Sequence, residues 1–355
     1  MRAFVFCLCL AAAPAWAAEK PSATELIELA RANPGGALRD AITTAFSSDA
    51  LTAGTAWAAR AGNLFVAIES GPEPVLFIDN ARGPEMQRVN GTAIWYAFTT
   101  ELAVSRLHSF NYEINGARTG GSHDVPALGP LSYLETGVPS GKLYGPIAHT
   151  SKIYDGMKSE YWVYVPAQYD AKTPAALMVF QDGSGYLRRD GYNPALNVID
   201  NLIARKVIPV MICVFTNPGD ISGSPGSPTY EFVKAHSERW GRTLKDAMRS
   251  TLYDTVSDRY AHFLRDEILA DVGAQYNIRK DAYSRGITGL SSGAICAFNA
   301  AWQMPDQFSR VISWIGSYES IQWKEDPKNP DGGQDFPDKI LRERKRNLRV
   351  WLQDG

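Results

Sequence analysis

The sequence predicts an α/β fold, a mostly parallel sheet covered by helices, with a smaller β-rich domain before it. In the second half of the chain, buried apolar strands alternate with amphipathic helices, which is the pattern of a parallel sheet with helical crossovers. From Gly54 to about Glu113, short alternating runs are separated by Gly, Pro, Asn and Asp, which is typical of a β-sandwich. The length of 355 residues is enough for two domains.

The first residues predict a signal peptide at positions 1–17. Arg2 is followed by an apolar run from Ala3 to Ala13 and then by Ala15-Trp16-Ala17, a small-x-small pattern that signal peptidase cleaves before Ala18. The run is too short to span a bilayer. We therefore expect a secreted or periplasmic protein without a membrane anchor.

The elements of the first half are a pair of leader helices, several strands and a linker. The helices are expected at 23–32 and 36–46, strands at 64–68, 75–78 and 93–98, and a linker rich in Gly, Pro and Ser at 116–146.

The second half is expected to alternate strands and helices. Strands are predicted at 161–166, 176–181, 208–215, 285–290, 310–315 and 348–352, and helices at 194–206, 254–276 and 292–303. The loop 216–230 is too long for a plain connector. It is therefore a candidate wall of a binding pocket.

Charge and cysteine content exclude several classes of partner. The formal net charge is −2, so no basic surface favours nucleic acid. Cys213 and Cys296 lie in apolar surroundings and are expected to be buried thiols rather than a disulfide. No Cys/His spacing resembles a zinc site. We expect no metal or organic cofactor, and a small-molecule or carbohydrate-linked partner.

One motif carries a chemical prediction, Gly289-Leu290-Ser291-Ser292-Gly293. Gly-x-Ser-x-Gly alone is a weak signal, but here a short strand ends at the motif and a helix of small residues begins in it, as a nucleophile elbow requires. The turn would expose the Ser291 hydroxyl, and the amide of Ser292 would face a developing oxyanion. The alternative is a glycine-rich β-to-α turn without chemistry.

A second oxyanion donor is expected in the loop after an earlier strand. Phe180-Gln181-Asp182-Gly183-Ser184-Gly185 follows such a strand, and the backbone amide of Gly183 or Ser184 could fill the role. An ordinary strand-end turn is the competing interpretation.

Several blocks resemble an esterase family of α/β-hydrolases that contains enterochelin (siderophore) esterases and feruloyl or acetylxylan esterases. The blocks are Tyr164–Tyr169, Val179–Gly183, Asp258–Ile268, Ile287–Ala294, Pro305–Ser313 and Gly316–Ser317. The resemblance implies an α/β-hydrolase domain over 136–355, with Ser291 as the nucleophile and the 182–184 loop as the oxyanion region. Residues 18–135 would hold the leader helices, an immunoglobulin-like sandwich and the linker.

The general base that such a serine needs is missing from the expected place. The chain order in this fold is Ser, then Asp or Glu, then His, but all five histidines precede Ser291; they are His108, His123, His149, His236 and His262. The segment Leu348–Gly355 resembles the family strand whose following loop carries the acid. We therefore expect the catalytic domain to be incomplete, with the acid and the histidine beyond residue 355 and Asp354 as a turn former.

The expected function is ester hydrolysis through an acyl-enzyme on Ser291, of the enterochelin-esterase type. A feruloyl or acetylxylan esterase acting on carbohydrate-linked esters is the alternative substrate class. A non-catalytic binding protein that kept the fold and lost the base is the alternative from another class. The sequence does not predict an oligomeric state.

Overall fold

The computed structural model describes residues 21–32, 35–121, 123–318 and 332–354. The predicted signal peptide lies outside these residues. Contacts divide the chain into two units, one ending at Pro130 and the other beginning at Leu131. No helix in the described ranges is both long and apolar enough to cross a membrane.

The described part of the N-terminal unit contains three short helices and antiparallel strands. The helices are α1 (Ala23–Ala32), α2 (Gly36–Ala45) and α3 (Ser48–Ala53). The strands are β1 (Thr55–Ala59), β2 (Gly62–Ile68), β3 (Val75–Ile78), β4 (Ala81–Arg82), β5 (Gln87–Arg88), β6 (Ile94–Thr99), β7 (Arg106–His108), β8 (Phe110–Ile114), β9 (Ala117–Thr119) and β10 (Val125–Ala127). They form sheets in the orders β1-β2-β6-β5 and β4-β3-β8-β9, and β7 pairs with β10.

Strand β2 shows how this unit is layered. Its successive side chains point to opposite faces of the sheet. Leu64 and Val66 pack with the leader helices in one core, whereas Phe65 and Ala67 pack with residues of β3 and β8 in another. The sheet that contains β2 is therefore covered by helices on one side and by the second sheet on the other.

The C-terminal unit is built on a seven-stranded mixed sheet. Its strands are β11 (Lys142–Thr150), β12 (Lys158–Val165), β13 (Ala176–Gln181), β14 (Met211–Thr216), β15 (Arg285–Leu290), β16 (Arg310–Trp314) and β17 (Arg349–Gln353). The order is β11-β12-β14-β13-β15-β16-β17. Neighbouring strands among β11, β12 and β14 pair antiparallel. The other neighbouring pairs, along β14-β13-β15-β16-β17, are parallel.

Helices flank this sheet on both faces. They are α4 (Ala195–Ala204), α5 (Pro228–Trp240), α6 (Leu244–Tyr253), α7 (Arg259–Phe263), α8 (Leu269–Gln275), α9 (Ser292–Gln303) and α10 (Phe336–Arg342), with a π-helical turn at Leu264–Ile268 between α7 and α8. Alternate residues of β14 again separate two cores. Ile212 and Val214 face the helices α6 to α9, and Cys213 and Phe215 face α4.

The two cysteines of the sheet layers are buried free thiols, as predicted. Cys213 packs in the core that contains α4, and Cys296 packs in the core on the other face. Burial raises the pKa of each thiol well above its ordinary value. Both thiols are therefore neutral and unreactive in the folded protein.

Two sequence expectations about elements were wrong, and two helices were missed. The expected linker 116–146 contains β9, β10 and the start of β11, an edge strand whose side chains are mostly exposed and which therefore lacks an alternating apolar pattern. The helix expected at 254–276 begins only at Arg259 and contains the π-helical turn. Helices α5 and α6 were not predicted, and α5 begins inside the expected loop 216–230.

Polar residues of α4 hold the segment that leads into β11. The buried Asp200 carboxylate accepts hydrogen bonds from Tyr164 Oη at 2.6 Å and Arg189 Nη2 at 2.8 Å. Tyr164 Oη in turn accepts a hydrogen bond from the Gly141 amide, in that segment, at 2.8 Å. The Asn201 side chain donates to the carbonyls of Leu131 at 2.9 Å and Tyr133 at 2.7 Å. These bonds replace the apolar packing that an irregular segment cannot supply.

We expect Asp200→Ala to lower the free energy of unfolding by about 3 kcal/mol, because Tyr164 and Arg189 lose a buried charged partner. Equilibrium urea unfolding measures the loss, and chymotrypsin should cleave more rapidly within 131–141. Asp190→Ala is the control. It breaks an exposed pair with Arg188 at 3.1 Å and should change stability by less than about 1 kcal/mol. Equal losses in both variants would contradict the importance of the α4 contacts.

Candidate active site

Ser291 occupies the turn between β15 and α9, with φ 57° and ψ −123°. A non-glycine residue in this region is strained by about 1–3 kcal/mol and persists only where its surroundings hold it. The Ser291 amide donates to the Trp314 carbonyl at 3.0 Å, so the neighbouring strand β16 fixes the turn. The structure thus places Ser291 at a sharp strand-to-helix turn, with its side chain half-buried.

Both glycines of the motif lie in crowded surroundings, and Gly289 has no room for a side chain. A Cβ on Gly289 would lie 2.2 Å from the Gly293 carbonyl oxygen. A Cβ on Gly293 would lie 3.0 Å from Asp182 Oδ2 and 3.2 Å from Gln181 Cβ. The first glycine therefore closes the turn, and the second lets the end of β13 approach the start of α9.

Small side chains bring α9 close to the sheet. Ala294, Ala297, Ala300 and Ala301 are fully buried. Ser292, the first residue of the helix, is also buried. The helix start combines free backbone N–H groups with the positive end of the helix dipole, which favours negative charge.

The loop after β13 lies against this helix start. Asp182 has a left-handed conformation with φ 53°, and a short 3-10 turn follows at Gly183–Tyr186. A Cβ on Gly183 would lie 2.5 Å from backbone and side-chain atoms of Phe215. The Ser184 amide donates to Asn217 Oδ1 at 3.1 Å. Of the two predicted donors in this loop, Ser184 therefore already has a partner within the protein.

Helix α6 supplies two contacts to this loop that sequence reasoning missed. Arg249 donates from Nε and Nη2 to the two carboxylate oxygens of Asp182, at 3.1 Å and 2.7 Å. The Asp182 amide donates to Tyr253 Oη at 3.2 Å. Burial acts to lower the pKa of Arg249, but the hydrogen bonds and charge of Asp182 raise it. Burial raises the pKa of Tyr253 well above its ordinary value, so its hydroxyl stays neutral.

Asp254 is a buried carboxyl at the end of α6. Neither of its oxygens makes a hydrogen bond of ordinary geometry with the described residues. Burial raises its pKa, although the hydroxyls of Ser292 and Ser250 are close enough to oppose that effect. This places an acidic group directly beside the helix start that follows Ser291. The sequence had suggested only an ordinary helical position.

Three of the histidines have structural partners away from the turn. His108 pairs with Asp79 at 2.7 Å in the N-terminal unit, and His149 pairs with Glu267 at 3.0 Å. His262 is 3.0 Å from Asp266 on the adjacent helical turn.

The remaining histidines differ in burial. His236 Nδ1 lies 2.7 Å from the Phe232 carbonyl within α5, and the ring is buried. His123 is exposed in the N-terminal unit and lies edge-on to Phe110. Within the described ranges, no group of three or more His, Cys, Asp or Glu side chains is arranged to hold a metal ion.

The chain matches the protein family described as "Putative esterase" over residues 155–355. This match covers more than half of the sequence, so the chain belongs to that family of esterases. The family resemblance predicted from the motif blocks is therefore confirmed. No curated protein matches the sequence.

Several solved structures of esterases are similar to this chain. The enterobactin esterase FES from Shigella flexneri is 15% identical, with 86% of this chain and 84% of that chain covered and a TM-score of 0.50. The ferric enterobactin esterase from Salmonella typhimurium is 14% identical over 84% and 82%, with a TM-score of 0.48. The feruloyl esterase module from Clostridium thermocellum is 17% identical over 64% and 71%, with a TM-score of 0.40. The likeness to the Shigella enzyme, with the mixed sheet and flanking helices, confirms the predicted α/β-hydrolase sheet.

We expect Gly289→Ala to destabilise the C-terminal unit by about 3 kcal/mol or more, because the added methyl collides with the Gly293 backbone. Thermal unfolding should show this as a drop of several degrees in Tm. Gly273→Ala is the matched control, since Gly273 lies exposed in α8 with open space around its Cβ position. That variant should be neutral or slightly stabilising. A Gly289→Ala protein as stable as the control would contradict the steric account.

Proposed function

We propose that the protein hydrolyses carboxylic esters through an acyl-enzyme on Ser291. One observation carries the proposal, the strained turn at Ser291 between a buried parallel strand and the start of α9. Strained backbone of this kind is concentrated at functional sites. Here the strained turn would hold a nucleophilic hydroxyl away from the sheet. Membership of the esterase family supports the same chemistry.

In the proposed reaction, Ser291 Oγ attacks the ester carbonyl carbon and forms a tetrahedral intermediate. The intermediate's negative oxygen would be bound by two backbone amides, those of Ser292 and Gly183. We favour Gly183 over Ser184 because the Ser184 amide already donates to Asn217. Collapse of the intermediate releases the alcohol and leaves an ester on Ser291. Attack by water then releases the acid and restores the serine.

We propose that a histidine beyond residue 355 acts as the base and that an acidic residue beyond 355 orients it. Support comes from the family chain order and from the direction of β17. Strand β17 runs parallel to β16, and the Ile315 amide donates to the Gln353 carbonyl at 2.6 Å. The chain after Gln353 therefore emerges at the same edge of the sheet as Ser291. A triad acid in that next segment would be close to the nucleophile.

The substrate class that we propose is the siderophore-type trilactone of enterochelin esterases. The fold likeness to the enterobactin esterase spans 86% of this chain, which includes much of the N-terminal unit. We further propose that this unit, with the leader helices, is an immunoglobulin-like accessory domain within residues 18–135, followed by the catalytic domain at 136–355. Hydrolysis rates for a catecholate trilactone, a feruloylated sugar and acetylated xylan would distinguish the substrate classes. Preference for either carbohydrate ester would overturn the trilactone assignment.

The proposed site of action is the periplasm or the cell exterior. The support is the sequence of residues 1–17, with its basic start, apolar run and small-x-small end. Mass spectrometry of the protein from its native cells would give the N-terminus, and we expect Ala18. An intact N-terminus in the cytoplasmic fraction would contradict export.

We expect Ser291→Ala in the full-length protein to reduce hydrolysis of p-nitrophenyl acetate by about 10³-fold or more, because the nucleophile is lost. A spectrophotometric assay of released p-nitrophenol measures this. Ser284→Ala is the matched control at the opposite end of β15, and it should keep full activity. Undiminished hydrolysis by Ser291→Ala would refute the nucleophile assignment.

A further inference from the structure

The Gly183 amide can bind an oxyanion only if the loop that carries it is held in place. Donor groups of this kind act through preorganisation, and displacements of about 1 Å remove much of their effect. The loop follows the end of β13 and contains only one short 3-10 turn. Its first residue, Asp182, has a left-handed backbone. Such a loop needs contacts from outside its own backbone to keep one conformation.

Residues on both sides of Gly183 are held, and the stronger contacts come from α6. Arg249 donates two hydrogen bonds to the Asp182 carboxylate, at 3.1 Å and 2.7 Å. Tyr253 Oη accepts a hydrogen bond from the Asp182 amide at 3.2 Å. On the other side, the Ser184 amide is bound to Asn217. Gly183 is thus the residue between two amides that already have partners.

We propose that helix α6 positions the Gly183 amide by holding Asp182, with Arg249 as a positioning residue for the ester hydrolysis, an inference that rests on the function proposed above. The role is indirect, because the hydrogen bonds of Arg249 are made to the loop. Its specificity lies in the geometry of the contact. A planar guanidinium that binds both oxygens of one carboxylate fixes distance and orientation together.

The Arg249–Asp182 pair differs from an ordinary surface ion pair. The two side chains are each only 32% exposed, so water screens their attraction less than at an open surface. The guanidinium also lies over the Tyr253 ring, 5.1 Å from its centroid. This stacking restricts the arginine to one orientation and lowers the entropic cost of holding the carboxylate.

Helix α6 also reaches the other proposed donor. Met248 and Leu252 share a core with Ile295 of α9, and the Asp254 carboxyl at the end of α6 is close enough to Ser292 to interact with its hydroxyl. Helix α6 is therefore in contact both with the loop that carries Gly183 and with α9, whose first residue is Ser292.

A double-mutant cycle on the full-length protein tests the proposal. Arg249→Met, Asp182→Asn and the double variant are compared by steady-state hydrolysis of p-nitrophenyl acetate. We expect each single variant to lower kcat about tenfold with KM changed less than about twofold, because an oxyanion donor acts mainly in the transition state. The double variant should lose no more than the worse single variant, since both changes remove one contact. Asparagine tolerates the left-handed backbone at position 182.

Two further variants and one probe make the readout specific. Arg249→Lys keeps the positive charge but lacks the planar guanidinium that binds both carboxylate oxygens. It should therefore recover part of the kcat that Arg249→Met loses. Arg188→Met makes the same chemical change as Arg249→Met at the exposed pair with Asp190 and should leave kcat unchanged. Inactivation by a p-nitrophenyl phosphonate, which mimics the tetrahedral intermediate, should slow in parallel with kcat/KM.

The possible outcomes separate this inference from the proposed function. Hydrolysis that survives Ser291→Ala would overturn the proposed function and this inference with it. Loss of hydrolysis in Ser291→Ala, with kcat retained in Arg249→Met and Asp182→Asn, would overturn the positioning role alone. So would losses that multiply in the double variant, or a raised KM with kcat intact. If Arg249→Met does not fold by circular dichroism, the isosteric Asp182→Asn variant decides the matter.

Discussion

The steric closure of the turn around Ser291 is the constraint on which the rest of the site depends. Gly289 has no room for a side chain because the Gly293 carbonyl occupies that space, and Gly293 has little room because the end of β13 lies there. Strands β13 and β15 and helix α9 therefore pack in direct van der Waals contact around this turn. The unfavourable backbone conformation of Ser291 is stable only within this close packing.

This crowding explains the arrangement of neighbouring elements. Strand β15 pairs in parallel with both β13 and β16, so the carboxyl ends of all three strands open at the same edge. Alanines on the inner face of α9 let the helix lie close above them. The absence of a Cβ at position 293 eases the close approach of the loop at Asp182 to the start of α9. The fold and the candidate site thus share the same few small residues.

Sequence patterns predicted the central elements well. The strands 75–78, 176–181 and 285–290 and the helix 292–303 have the expected bounds, because continuous apolar runs and the Gly-Ser motif mark them clearly. The position of Ser291 between strand and helix was predicted for the same reason, and its catalytic role stays a prediction.

Not every part that escaped sequence analysis lacks a local signal. Strand β11 is an exposed edge strand without an alternating apolar pattern, whereas α6 begins at a capping Thr243 and has Leu244, Met248 and Leu252 at helical spacing, a pattern that the sequence analysis did not use. The contacts of Arg249 and Tyr253 with Asp182 join residues about seventy positions apart in the chain. No local periodicity reveals a pairing over that distance, since it depends on the tertiary packing of α6. Asp254 escaped notice because its significance lies in burial rather than in spacing.

The opposite placement of the two buried cysteines has a practical consequence. Cys213 of β14 packs in the core between the sheet and α4, and Cys296 of α9 packs in the core on the opposite face of the sheet. Reaction of each thiol with a small reagent therefore requires a different layer to open. Within the described chain, these two cysteines are natural reporters of local opening, and their separate labelling rates would show which side of the sheet loosens first.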